Sequence, residues 1–218
     1  MTIYSQTILL ESFENGGAIP ANWASEIVTG STNGLTYVTS GNTGFPSVNL
    51  LPYNLSYMVM YNSYSIASGS TRLYTANIST VGYSQVTMDF AMYHDNGYFP
   101  YNGEGITPQY SIDNGVTWTN IGTVINRSDA INGWQIHTVT LPAPATGIAN
   151  LRIAFLFTSL FGNNCFMDFV HVNGTTLPST IPTLSQWGLI ILSFLLLALG
   201  TVFILKRQNS LAIVRRKK

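Results

Sequence analysis

Residues 85–93 read QVTMDFAMY, and this stretch decides the fold class. Val86, Met88, Phe90 and Met92 alternate with Gln85, Thr87, Asp89 and Ala91. Successive side chains of a strand point to opposite faces, so a two-residue period predicts a strand with one buried face. In residues 151–158, Ile153, Phe155 and Phe157 alternate with Ala154, Leu156 and Thr158. Both sets are largely apolar, which predicts a central strand covered on both sides.

Working outward, short segments of this kind recur between clusters of Gly, Asn, Pro and Ser. They predict strands over 7–13, 35–39, 57–61, 71–76, 85–93, 107–112, 117–121, 134–141, 151–158 and 165–172. No stretch before Gly188 sustains a 3.6-residue period over three turns, so almost no helix is expected there. Roughly ten short strands imply an all-β domain, a two-layer antiparallel jelly-roll β-sandwich over 7–174. About 170 residues suffice for one core without disulfides. Cys165, the one cysteine, cannot form an internal disulfide and reads as a small buried hydrophobe.

The C-terminus is of another kind. Gly188 to Leu205 is an uncharged apolar run of 18 residues, roughly 27 Å of helix against a hydrocarbon core of ~30 Å. It predicts one transmembrane helix over 188–205, preceded by a Pro/Thr/Ser linker over 175–182 and followed by a basic cytoplasmic tail over 206–218. Trp187 falls where an aromatic ring lies at the headgroups, and Lys206-Arg207 where positive charge marks the cytoplasmic side.

The neutral overall charge conceals two opposite parts. Before the run stand three basic residues (Arg72, Arg127, Arg152) against all nine acids, a net charge of −6; six basic residues follow it. This asymmetry predicts an N-out, C-in precursor in the inner membrane, with its body then displayed at the cell surface or secreted. Three cations cannot neutralise a run of phosphates, which excludes nucleic acid as a partner. An N-out body needs an export signal, yet the first residues offer no basic segment followed by a long apolar one. Residues 4–7 read as the end of a leader and the start of a mature strand, so 1–6 is expected to be a leader remnant. Either the true start lies upstream or the gene is incomplete.

Ser111, Asp113, Gly115, Thr117 and Trp118 fit the Asp-box pattern S-x-D-x-G-x-T-W. The motif is a structural turn: Asp113 accepts backbone N–H bonds across the loop and Gly115 takes a positive φ. Sialidases carry several such hairpins. A single copy without an arginine cluster to hold a carboxylate does not make one.

Ile181, Pro182, Thr183, Leu184, Trp187 and Gly188 fit I-P-T-L-x-x-W-G and lead into the span and basic end. This tail resembles the IPTL-CTERM sorting signal. The resemblance implies a Gram-negative bacterium and an exosortase-type membrane cysteine protease that cuts near the motif. The body resembles the choice-of-anchor J family, a MAM-like jelly roll on bacterial surface proteins. It does so through Glu11-Ser12-Phe13-Glu14 with Pro20 and Trp23, through 57–63 and 88–95, through the Asp-box hairpin, and through 164–170. The family's last strand usually ends in two consecutive acids; here Asp168 is followed by Phe169, which halves the pair.

In such jelly rolls the first and last strands lie close, so Glu14 and Asp168, with Glu11 as a third, are the candidates for oxygen-only ligation of Ca²⁺. The alternative is that these acids face solvent or pair with Arg152. His94-Asp95 belongs to one strand, and His137 and His171 are expected on solvent faces of others, without a common metal. Glu104 and Asp95 are the acids that could approach in a glycosidase arrangement, although no spacing supports it. The loop 93–110 carries Tyr98, Phe99 and Tyr101 among Gly, Asn and Asp, the composition of a sugar-binding surface in which rings stack on C–H faces and polar groups bind hydroxyls. The function expected is non-catalytic adhesion or carbohydrate binding, with a surface glycan or another surface protein as partner. A surface polysaccharide hydrolase and a purely structural domain are the alternatives.

Overall fold

The computed structural model describes residues 4–98, 102–176 and 184–215. The chain divides into two units, 1–177 and 178–218. The first contains β1 (Tyr4–Glu11), β2 (Trp23–Thr29), β3 (Leu35–Val38), β4 (Gly41–Asn42), β5 (Asn49–Leu50), β6 (Met58–Tyr61), β7 (Gly69–Thr75) and β8 (Gln85–His94). It continues with β9 (Gly105–Ser111), β10 (Thr119–Asn120), β11 (Ile125–Asn126), β12 (Gly133–Thr140), β13 (Arg152–Ser159) and β14 (Cys165–Thr176).

Two antiparallel sheets face each other. One runs β12-β8-β14-β6-β3 with β1 also on β14; the other runs β10-β9-β13-β7-β2 with β11 also on β9. This is the expected β-sandwich. The alternation in β8 is realised, with Val86, Met88, Phe90 and Met92 fully buried. β13 lies between β9 and β7, and Ile153, Phe155 and Phe157 join the core. The sheets are riveted by rings: Phe90 of β8 meets Phe155 of β13 edge-on at 5.0 Å, and Tyr61 of β6 meets Phe157 at 5.6 Å. Cys165 is buried, and that burial pushes its thiol well above the usual range.

β14 is the hub. β8 occupies one of its edges, while β6 (against Cys165–Met167) and β1 (against Val170–Thr176) share the other end to end. At the hand-over the pairing with β8 shifts between Asp168 and Val170, and Phe169 takes φ +49°, a β-bulge.

Several expectations are corrected. Tyr4, Ser5 and Gln6, which fall in the expected leader remnant 1–6, pair with Thr176, Thr175 and Gly174 within β1. Phe13 lies outside β1 because its φ of +61° turns the chain. β14 continues through Thr176, so the expected linker loses its first two residues to a strand; 177–183 lie outside the described residues. β2 was not anticipated, and the strand expected over 117–121 is only Thr119–Asn120.

The second unit contains α1 (Leu184–Arg215). Within it Gln186–Arg207 is long and apolar enough to cross a membrane, about 33 Å at 1.5 Å per residue. The helix passes through 206–215, which were expected to be tail.

Phe155 touches both Phe90 and Trp23, the latter at 6.3 Å, so its truncation opens a cavity between the sheets. Phe155→Ala is expected to cost about 3–5 kcal/mol, read as a fall in the urea midpoint of tryptophan fluorescence.

Candidate functional site

At one end of the sandwich, the segment after β8, the segment before β9 and the segment between β13 and β14 converge on Arg127, which is 1% exposed. Its Nε donates to Glu104 Oε1 at 2.7 Å, and Nη1 lies 3.6 Å from Asp95 Oδ2. Nη1 also donates to the carbonyls of Asp95 (2.6 Å) and Gly97 (3.1 Å), and Nη2 to that of Tyr98 (3.2 Å). Glu104, fully buried, accepts from the backbone N–H groups of Leu160 and Gly162 through Oε2. Gly162 is required there, since a Cβ would sit 2.1 Å from Glu104 Oε1. Asn163 closes the network: its Nδ2 donates to Asp95 Oδ2 and to the Phe45 carbonyl, and its Oδ1 accepts from Phe45 N–H. Glu104 and Asp95 therefore do approach each other, but as the two counter-charges of one buried guanidinium. Carboxylates spent in that way do not form a glycosidase pair.

This node carries an exposed aromatic cluster. Tyr98 packs against Tyr64 at 5.6 Å, Phe45 at 6.2 Å and Phe161 at 6.3 Å. Phe45 is 61% exposed, Phe161 43% and Tyr64 40%. Of the three residues read from sequence, Tyr98 is a member; Phe99 and Tyr101 lie outside the described residues. Phe45, Tyr64 and Phe161 come from three other loops, and no local signal in the sequence joins them.

The candidate calcium acids are separated into two roles. At the β14 bulge, Asp168 Oδ2 accepts from Asn54 N–H and Oδ1 from its own neighbour, Phe169 N–H. Glu14 Oε1 accepts from Ser56 and Tyr57 N–H, so both acids bind the loop 54–57. Burial, opposed by these bonds and aided by the charge of Glu14, raises the Asp168 carboxyl to about 6. Glu11 stands apart, accepting from Phe13 N–H and Trp23 Nε1. Arg152 does not pair with these acids; its Nε donates to Asn77 Oδ1. Among the described residues no three His, Cys, Asp or Glu side chains converge on one point.

The Asp box forms its expected turn. Thr117 donates to Asp113 through its hydroxyl (2.6 Å) and its N–H (2.9 Å), and Ser111 Oγ donates at 2.7 Å; these bonds hold the carboxyl down to about 2. Gly115 has φ +86°. Trp118 folds onto the outer face of the second sheet, 5.4 Å from the Tyr74 ring and beneath the Arg72 guanidinium at 4.8 Å.

The histidine expectation is corrected. His94 is 1% exposed, and its Nε2 lies 2.7 Å from His137 Nε2. Gly133 pairs with His94 and Phe90 with His137, a register that puts both imidazoles on one side of the sheet. Burial lowers the proton affinity of both, and His94 lowers that of His137 further. His171 binds Thr7 and Asn173 elsewhere.

In the second unit Ile181, Pro182 and Thr183 lie outside the described residues, Leu184 opens α1, and Trp187 and Gly188 follow in its first turns with Trp187 53% exposed. Residues 180–207 match the IPTL-CTERM motif family, so the chain ends in that sorting motif. Among curated proteins no sequence relative matches. The body shares its fold with solved adhesin domains. It superposes on the K2 cleaved adhesin domain of Lys-gingipain with TM-score 0.53 at 20% identity, covering 78% of this chain and 99% of that one. The K3 domain from Porphyromonas gingivalis w83 gives 0.51 at 23%, with 78% and 99% covered. The CBM22-1–CBM22-2 tandem domain of Paenibacillus barcinonensis Xyn10C gives 0.50 at 10%, covering 82% of this chain and 48% of that one. At such identities the likeness is one of fold.

The raised Asp168 carboxyl has a signed consequence. Its proton is held more tightly in the folded chain than at the ordinary value of 3.8, so the stability it contributes is present below about pH 4 and lost as pH rises through about 6. In EDTA, wild type measured against Asp168→Asn should lose on the order of 1–3 kcal/mol across that window in urea melts. The histidine pair is common to both proteins and cancels in the difference.

Proposed function

We propose that the body is a non-catalytic recognition domain carried to the cell surface by its C-terminal signal, and that the Phe45, Tyr64, Tyr98 and Phe161 cluster is its glycan-binding surface. The observation carrying this reading is the convergence of four rings from four loops above a fully bonded charge network, with Phe45, Tyr64 and Phe161 exposed around a half-buried Tyr98. Exposed aromatic surface costs solubility, and loops held by a rigid scaffold are where binding residues concentrate. Rings stack on the C–H faces of sugars, and the exposed amide of Asn96 supplies a hydroxyl partner. The adhesin domains that share the fold support a role in adhesion. The body belongs with choice-of-anchor J, MAM-like surface domains on the residues that carry that resemblance.

The precursor lies N-out, C-in in the inner membrane of a Gram-negative cell, the six basic residues after the span remaining cytoplasmic. An exosortase-type protease recognises the IPTL motif and cuts near it. Glu14 and Asp168 would hold a Ca²⁺ ion, with further oxygens drawn from backbone carbonyls or water. The fit lies in the charge: burial above all, and to a smaller extent the charge of Glu14, raises the Asp168 carboxyl, and a cation would offset both. The ion would supply cross-linking of the 54–57 loop to β14. Ca²⁺ should then raise the melting temperature of wild type and leave that of Asp168→Asn unmoved.

Binding is tested with the full-length chain in detergent micelles, by affinity electrophoresis through neutral polysaccharide gels. The double variant Tyr64→Ala/Phe161→Ala should bind at least about tenfold more weakly than wild type with an unchanged melting temperature, each stacked ring being worth roughly 1 kcal/mol. Equal retardation would overturn the assignment. Intact mass of the protein recovered from exporting cells should lack the residues beyond the motif; a full-length product would overturn the processing step.

A further inference from the structure

The Asp-box hairpin has a second consequence on the outer face of the second sheet, away from the aromatic cluster's loops. Arg152, Tyr74, Trp118 and Arg72 form a row in which two neighbouring rings stand between two guanidiniums. The Arg152 Cζ lies 5.9 Å from the Tyr74 ring, Tyr74 lies 5.4 Å from Trp118, and the Arg72 Cζ lies 4.8 Å from Trp118. The two cations are not equivalent. Arg72 is spent on Glu26 and on Gln109 Oε1. Arg152 is instead aimed by the hairpin: Asn114 at its tip accepts from Asn77 Nδ2 at 2.7 Å, and Asn77 Oδ1 accepts from Arg152 Nε at 2.7 Å. Gly115 leaves room for the guanidinium, since a Cβ there would sit 3.0 Å from Nη1. Among the described residues neither terminal nitrogen of Arg152 has a hydrogen-bond partner.

Arg152 and Tyr74 line a groove of about 250 Å³ floored by Asn22, Ala24 and Ala76. A second hollow of about 270 Å³ over Ile8, Leu9 and Ile78 shares Asn22, Thr75 and Ala76 with it. Both volumes fall below the ~300–1,000 Å³ typical of enclosed small-molecule sites, and their shared lining makes the two hollows adjacent parts of one open track.

We propose that this track is a second binding site, for a saccharide chain bearing a carboxylate, with Arg152 holding the carboxylate, Tyr74 stacking beneath the ring, and the Asp-box hairpin positioning the guanidinium. The saccharide class rests on the glycan-binding reading above; the site and its charge preference rest on the track. A fixed fork with two free nitrogens matches the two oxygens of a carboxylate. The surrounding body, at −6, repels polyanions more strongly the denser their charge, so a uronate chain with one carboxylate per sugar is favoured over a heavily sulfated one.

The test uses the full-length chain in detergent micelles and affinity gels of polygalacturonate, carboxyl-reduced polygalacturonate and heparin. Wild type should be retarded most by polygalacturonate. Arg152→Gln should weaken that at least tenfold, Arg152→Lys less, and Asn77→Ala should weaken it through lost positioning, all with unchanged melting temperatures and unchanged neutral-glycan retardation. Tyr64→Ala/Phe161→Ala should leave polygalacturonate binding intact. Equal binding of the carboxyl-reduced polymer, stronger binding of heparin, indifference to Arg152→Gln, or no polygalacturonate binding would each overturn the proposal. Loss of neutral-glycan binding alone in the ring double variant bears on the aromatic cluster and not on this site.

Discussion

The end of the sandwich depends on one buried ion pair, Arg127 with Glu104, seconded by Asp95. Burying a guanidinium and two carboxylates carries a desolvation penalty of several kcal/mol per ion, and Coulomb attraction alone seldom exceeds it. The gain lies elsewhere. Arg127 donates to three carbonyls of the segment 95–98, and Glu104 accepts two amides of the segment 160–162. Loops that would otherwise bury unsatisfied backbone groups are thereby tied to one point. An apolar replacement of the pair could equal it in stability, but it would leave those carbonyls and amides without partners. The network thus specifies a loop arrangement more than it adds stability, and the rings of Phe45, Tyr98 and Phe161 inherit their positions from it.

A second constraint acts at β14. Because β6 and β1 share one of its edges, the hydrogen-bond ladder must be interrupted between them, and the interruption falls at Asp168–Phe169. A carboxylate at that position can do what a strand partner cannot, reaching the amide of Asn54 in the loop that leads to β6. Glu14, just past the end of β1, does the same for Ser56 and Tyr57. The proximity of the two acids follows from topology, and the raised proton affinity of Asp168 follows from its burial first and from that proximity second.

The parts of the fold that were legible are those where one residue's neighbours in sequence also determine its burial. β8 obeys this rule and matches its expected face; β13 is central as expected, but Leu156 and Thr158 on its outer face are only half-buried. β2 escaped because Ser25 and Glu26 dilute its alternation and its last residues are exposed. The strand at 117–121 shrank because Trp118 lies against the sheet face instead of continuing the ladder. Of the site, Tyr98, Glu14, Asp168 and the Asp box could be singled out, each from a local pattern. The Arg127 node, the His94–His137 pair and the other three rings could not. Their members are joined only by strand register and loop convergence, and alternation does not encode either.

The distribution of positive charge ties these observations together. The body holds three cations: Arg127 is consumed inside, Arg72 is neutralised by Glu26, and Arg152 keeps its terminal nitrogens. A surface at −6 with one available cation cannot attract ligands through its overall field, and at physiological salt that field decays within about 8 Å. Recognition must therefore be short-ranged. Ring stacking needs no charge, and a single guanidinium held by the Asp-box hairpin reads charge only at contact. The sparse use of Lys and Arg that marks the sequence is thus also what restricts the body to close-contact partners, a chemistry suited to neutral or lightly charged glycans.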